Sequence, residues 1–168
     1  MDESAIIHVN IIDYAATLAQ ARDRSLAKSP FVIAMPHTRT PVVLSPSRLA
    51  RSEGISRGMS VAHAQRRVPQ LTVLHPDPHL IADADRTLSS VINSYSPAVY
   101  TEGGGHLYLD MRGTARLFGS PVTSALRLQQ QIRHTLGCAA AVAVGPNKLV
   151  AKIATRTIRP TGLVEVPA

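Results

Sequence analysis

The chain has one cysteine and no tryptophan among its 168 residues, and aromatic side chains make up only 4% of it. A lone Cys138 excludes an internal disulfide and fits a reducing compartment. With so few aromatics, a core must be built from Val, Leu, Ile and Ala, and a hydrophobic content of 45% supplies them. No apolar run approaches the roughly 20 residues that a membrane-spanning helix needs. The opening "MDESAIIHV" is acidic where a secretory leader is basic, so a cytoplasmic protein without a membrane partner is expected. Motifs for other chemistries are missing as well. The seven histidines (8, 37, 63, 75, 79, 106, 134) form no HExxH and pair with no cysteine, which argues against zinc. No G-x-S-x-G supports a serine triad. "GPNK" at 145–148 is not a Walker A loop.

Acids are also scarce. There are 11 Asp and Glu against 18 Lys and Arg, a formal net charge of +7. That balance favours a polyanionic partner, nucleic acid first. The length allows one large domain or two small ones with a real core.

Apolar periodicity sets out the elements. "AIIHVNII" (5–12) is short and Ile-rich, a buried strand in which His8 is expected as a hydrogen-bonded core residue. Residues 14–23 are Ala-rich and helical. "FVIAM" (31–35) and "PVVLS" (41–45) flank a polar stretch and form a hairpin. Short helices follow at 46–54 and 60–69, then a strand at 71–75. Residues 77–96 form a long amphipathic helix with Asp77-Pro78 as its start. Strands at 98–102 and 106–111 flank three glycines. A second long helix covers 121–137. Strand 138–145, in which Cys138 is expected, leads to a helix at 147–156 and a final strand at 162–166. The first strand together with the elements from 77 onward gives β-α-β-β-α-β. The fold class expected is therefore α+β, ferredoxin-like, with an insertion after the first strand.

Four segments in this order, "IIHVNIIDYAA", "SPSRLARSEGISRGMSVAHAQRRVPQL", "YLDM" and "VGPNKLVAKIA", resemble the Y-family (DinB/UmuC-like, translesion) DNA polymerases. The resemblance covers nearly the whole chain. It implies a palm at 1–13 and 76–168, inserted fingers at 14–75, and no thumb or little finger. In that family the palm carboxylates hold Mg²⁺ for nucleotidyl transfer. Here the positions are Asn10, Gly105 and His106. Asn is neutral, Gly has no side chain and His prefers softer metals, so the degenerate triad offers no hard anionic site. Ala15 stands where the family has a bulky aromatic that excludes the ribose 2′-hydroxyl. Arg48, Arg51, Lys148 and Lys152 fall in segments that resemble the family's triphosphate-contacting elements. Lys148 and Lys152, four apart, share one helix face.

The pattern of losses, with "LDMRGTARLFG" (109–119), resembles the non-catalytic ImuB-like branch. This implies a DNA-associated adaptor in DNA repair and damage-induced mutagenesis, with no catalytic residue, metal or cofactor of its own. Its DNA binding would be weak and sequence-independent. In a longer natural protein its partners would be a sliding clamp and a replicative-type polymerase. Two alternatives stand beside this. One is a divergent Mg²⁺-dependent polymerase using Asp13 or Asp110 with His106. The other is a nucleotide-binding sensor that keeps triphosphate contacts without chemistry.

Overall fold

The computed structural model describes residues 5–35 and 39–168. The polar turn expected at 36–40 and His37 fall partly or wholly outside them. Contacts divide the chain into two units, residues 1–12 with 83–168, and residues 13–82.

The first unit is built on a five-stranded sheet. Its strands are β1 (Ile6–Asn10), β5 (Ala98–Gly103), β6 (His106–Asp110), β7 (Ala141–Gly145) and β8 (Gly162–Glu165), in the order β5-β6-β1-β7-β8. The first four alternate antiparallel, and β8 joins β7 in parallel. With helices α4 (Pro78–Asn93) and α6 (Pro121–Leu136) as crossovers, this is the split β-α-β arrangement of an α+β, ferredoxin-like fold. Tyr95, just past α4, donates through Oη to Gln131 Oε1 on α6 at 2.8 Å, so the two helices lie side by side. A third helix, α7 (Lys148–Thr157), connects β7 to β8.

Strand register sorts the side chains into two faces. Ile7, Val9, Leu107, Leu109, Val142 and Val144 make one face wholly apolar, and all are buried. The other face carries Ile6, His8 and Asn10 on β1, opposite Asp110, Tyr108 and His106 on β6. Helix α7 packs there, with Ala151 clustered against Ile6 and Tyr108. Covering both faces explains why every residue of β1 is buried, His8 and Asn10 included.

Two expectations need correction. Cys138 is buried but precedes β7, which starts at Ala141. Its thiol lies in a connection, where burial pushes it up to about 11. The stretch "CAAA" is apolar enough to read as strand, but its first half follows the αL cap of α6 at Gly137 rather than the ladder. Periodicity also missed a short helix α5 (Ala115–Phe118).

The second unit holds a three-stranded sheet of β2 (Phe31–Ala34), β3 (Val43–Pro46) and β4 (Thr72–Leu74), ordered β3-β2-β4. Helices α1 (Tyr14–Arg22), α2 (Arg48–Ser52) and α3 (Val61–Arg67) complete it, with a 3₁₀ turn at Arg24–Lys28 that the sequence did not announce. Ser47 and Ser60 cap α2 and α3, accepting from Ala50 N and His63 N. The unit has its own core, centred on Val32, Val43, Ala50, Ile55 and Ala64.

Candidate functional site

Asn10 ends β1 and sits directly opposite His106 at the start of β6. Gly105 is tied to the same point, its carbonyl accepting from Ile11 N at 3.0 Å. The fold thus brings the three positions of the expected triad together. Gly103, Gly104 and Gly105 have φ of 76°, 58° and 81°. Three consecutive left-handed residues explain the glycine run, because each would strain an L side chain.

The chemistry at this point is that of neutral hydrogen bonding. Thr155 Oγ1 donates to Lys152 O at 2.9 Å, so its oxygen accepts from His8 Nδ1 at 2.8 Å. His8 Nε2 is then an acceptor, and His106 Nδ1 donates to it at 3.3 Å. Burial pushes His8 down to about 3, and the charges of His106 and Lys152 act in the same direction. Burial lowers His106 as well, followed by Lys152. Both imidazoles are therefore neutral near pH 7. The His8 ring also lies 4.4 Å from the Tyr108 ring. Asn10 is 2% exposed, and its Nδ2 is buried with no hydrogen-bond partner.

The charges around the histidines are mostly positive. Lys152 and Arg159 both act on His8 and His106, and Arg156 acts on His106. Arg156 and Arg159 went unremarked in the sequence, although cations in and beyond the last turn of a helix are a recognisable pattern. Lys152 is engaged: its Nζ donates to Glu102 Oε2 at 2.7 Å, and Tyr108 Oη donates to Glu102 Oε1 at 3.3 Å. The Lys152 bond holds the Glu102 carboxyl below its ordinary value. Glu102 lies at a register shift of β5 against β6, between Thr101 and Gly103, and such a bulge re-aims a side chain. Sequence reasoning overlooked it because it flanks the glycine run rather than aligning with an acid.

Other expected residues lie elsewhere. Lys148 is one helical turn from Lys152, but its Nζ sits 4.1 Å from the Tyr100 ring centroid. Asp110 opposes Ile6, at the far end of β6 from His106. Four residue steps along the strand separate Asp110 from His106 by about 13 Å, so the two do not share one metal ion. Asp110 is instead paired with Arg112, which holds its carboxyl low. Ala15, Arg48 and Arg51 belong to the second unit. There Arg51 grips Asp13, with Nε to Oδ2 at 2.8 Å and Nη2 to Oδ1 at 2.7 Å. Asp13 pays for this with a left-handed φ of 48°, and its side chain does not cap α1. Ala15 lines a largely apolar cleft of about 480 Å³ with Ala19, Leu26 and Leu74. Arg48 is exposed at the start of α2.

The donor set does not suit Mg²⁺. The ion takes hard, usually anionic oxygens. Here it would meet a neutral amide, a residue without a side chain and a neutral imidazole whose Nδ1 is committed to His8. Among the described residues no three His, Cys, Asp or Glu side chains converge as a metal site.

A profile of the impB/mucB/samB family matches residues 9–156. The chain belongs to this family, and is a Y-family DNA polymerase domain. The impB/mucB/samB domain is 32% identical over 163 residues to DNA polymerase IV of Moorella thermoacetica, covering 96% of this chain and 41% of that protein. It is 29% identical over 155 residues to DNA polymerase IV 2 of Bacillus subtilis, covering 92% and 38%. The chain therefore spans about two fifths of the length of the curated relatives it matches. Among solved structures, the fold matches DinB from Sulfolobus solfataricus with a TM-score of 0.89 at 20% identity, covering 96% of this chain and 48% of that one. The insertion ternary complex of Dbh DNA polymerase matches at 0.87 and 20%, with the same coverage. Among the described residues, no helix is long and apolar enough to cross a membrane.

Proposed function

We propose that this impB/mucB/samB domain is a catalytically silent palm and fingers, of the ImuB-like kind, that associates with DNA as an adaptor in repair and damage-induced mutagenesis. The first unit corresponds to the palm and the second to the fingers. The reading places the protein in the cytoplasm, with a sliding clamp and a replicative-type polymerase as partners of a longer chain. One observation carries it: Asn10 and His106 meet at the triad position as neutral groups, with lysine and arginine charges around them.

The mechanism follows from what the residues do. Two-metal phosphoryl transfer needs anionic oxygens to hold divalent ions against a triphosphate. Removing one well-placed electrostatic group commonly costs 10²–10³-fold in rate. Three have been replaced together. What remains is a rigid neutral cluster beside Lys152, Arg156 and Arg159, suited to screening phosphate charge without chemistry. The +7 charge supports sequence-independent association, with non-specific affinities of about 10⁻⁴–10⁻⁶ M. In the nucleotide-sensor alternative, the same cations would hold a triphosphate. The polymerase alternative that pairs Asp110 with His106 has no supporting geometry.

Calorimetry with Mg²⁺ and Mn²⁺ tests the reading on the chain itself. The wild-type domain should give no saturable heat, and the variant Asn10→Asp/Gly105→Asp/His106→Glu should gain a divalent site. Saturable Mg²⁺ binding by the wild type, or templated primer extension above a buffer blank, would overturn it.

A further inference from the structure

We propose that a cleft of the first unit takes one unpaired nucleobase of single-stranded DNA, stacked on Tyr100. The proposal rests on the DNA association argued above but concerns a different place. The cleft encloses about 430 Å³, within the range of small-ligand sites. It lies where α7, packed on β1 and β7, reaches β5 through the side chains of Lys148 and Lys152. Its floor is two neighbouring rungs of the sheet, Ile6 opposite Asp110 and Tyr108 opposite Tyr100, all on the same face. Its wall is the start of α7, Asn147 and Lys148.

Tyr100 is 51% exposed, in a chain with only four tyrosines and two phenylalanines. Its ring lies 6.0 Å from that of Tyr108, which is buried and fixed against His8. The open ring is thus backed by a rigid one. Lys148 Nζ now lies 4.1 Å from the Tyr100 centroid and 5.6 Å from that of Tyr108. A base sliding onto Tyr100 displaces this ammonium from the ring and leaves it beside the strand's own phosphate. Arg112, with a side chain 70% exposed and paired to Asp110, adds a second cation at the rim. An aromatic platform flanked by cations is how proteins hold single strands without reading sequence. A duplex keeps its base faces stacked inside and offers none to Tyr100.

The test is fluorescence anisotropy with a labelled single-stranded 12-mer and the matching duplex, on wild type, Tyr100→Ala, Tyr100→Phe and Lys148→Ala. Circular dichroism confirms folding of each variant. Tyr100→Ala should weaken the single strand by roughly 5- to 100-fold, the range for loss of one stacked base. It should change the duplex less than about twofold, and Tyr100→Phe should bind as wild type. Lys148→Ala should weaken the single strand and reduce its salt dependence. Because the chain lacks tryptophan, its tyrosine emission should also be quenched by the single strand, and less so in Tyr100→Ala. Equal losses on both DNA forms, or no loss in Tyr100→Ala, would overturn this site and leave the adaptor reading standing. Failure of the wild type to bind either form would overturn both.

Discussion

His106 Nδ1 lies 3.3 Å from His8 Nε2, and the other nitrogen of His8 lies 2.8 Å from Thr155 Oγ1. Two imidazoles from strands 98 residues apart therefore form one proton-ordered chain ending at the Lys152 carbonyl. The chain works only with His8 neutral.

Stability should accordingly fall with acid. An unfolded histidine titrates near 6.5, whereas burial holds His8 at about 3. Between those values the unfolded chain binds more protons, so stability is lost as pH drops through the window. One such group contributes a slope of about 1.4 kcal/mol per pH unit. Urea unfolding at pH 7, 6, 5 and 4.5 should show this slope reduced in His8→Phe, with a smaller part remaining from His106. An unchanged slope in that variant would place the acid sensitivity elsewhere.

Asn10 should be cheap to truncate. A buried polar group without a partner costs about 1–3 kcal/mol, and Asn10→Ala removes it. The lost packing and the relief should nearly cancel. Val9→Ala, one residue away and fully buried, has no such relief and should cost clearly more. Thermal unfolding of the two variants compares them directly. A penalty of 2 kcal/mol or more for Asn10→Ala would mean that its amide has a partner after all.

Gly104→Ala should destabilise by about 1–2 kcal/mol although a Cβ there meets nothing within 4 Å. The cost is conformational, since φ is 58°. Gly104→Asn should cost less, because Asn tolerates the left-handed region. Equal costs for Ala and Asn in denaturant titrations would contradict a backbone origin.

Glu102→Gln should leave stability little changed, because both partners of the Lys152 pair are partly exposed. It should strengthen DNA binding by freeing Lys152. If the freed ammonium takes a phosphate, the slope of log K against log salt steepens by about 0.7–0.9. A parallel salt titration in which variant and wild type coincide would show that Glu102 does not compete for Lys152.

Much of this was legible in the chain of letters. The Ile-rich strand β1 and the apolar stripes on α4 and α6 could be read because apolar spacing is a local property. Asn10, the glycines and His106 were also visible, because a residue type shows at its own position. Partnership did not show. Lys148 and Lys152 share a helix face, yet one lies over Tyr100 and the other on Glu102, and only the placement of β5 against α7 separates them. Arg51 was expected at a phosphate, and folding sets the Asp13 carboxylate against it. The sequence by itself determined the longer strands and helices and which residue type stands at each site position. The tertiary structure decided which charges are already neutralised and which aromatic face stays open. Those depend on distances between residues far apart in the chain, and no local pattern encodes them.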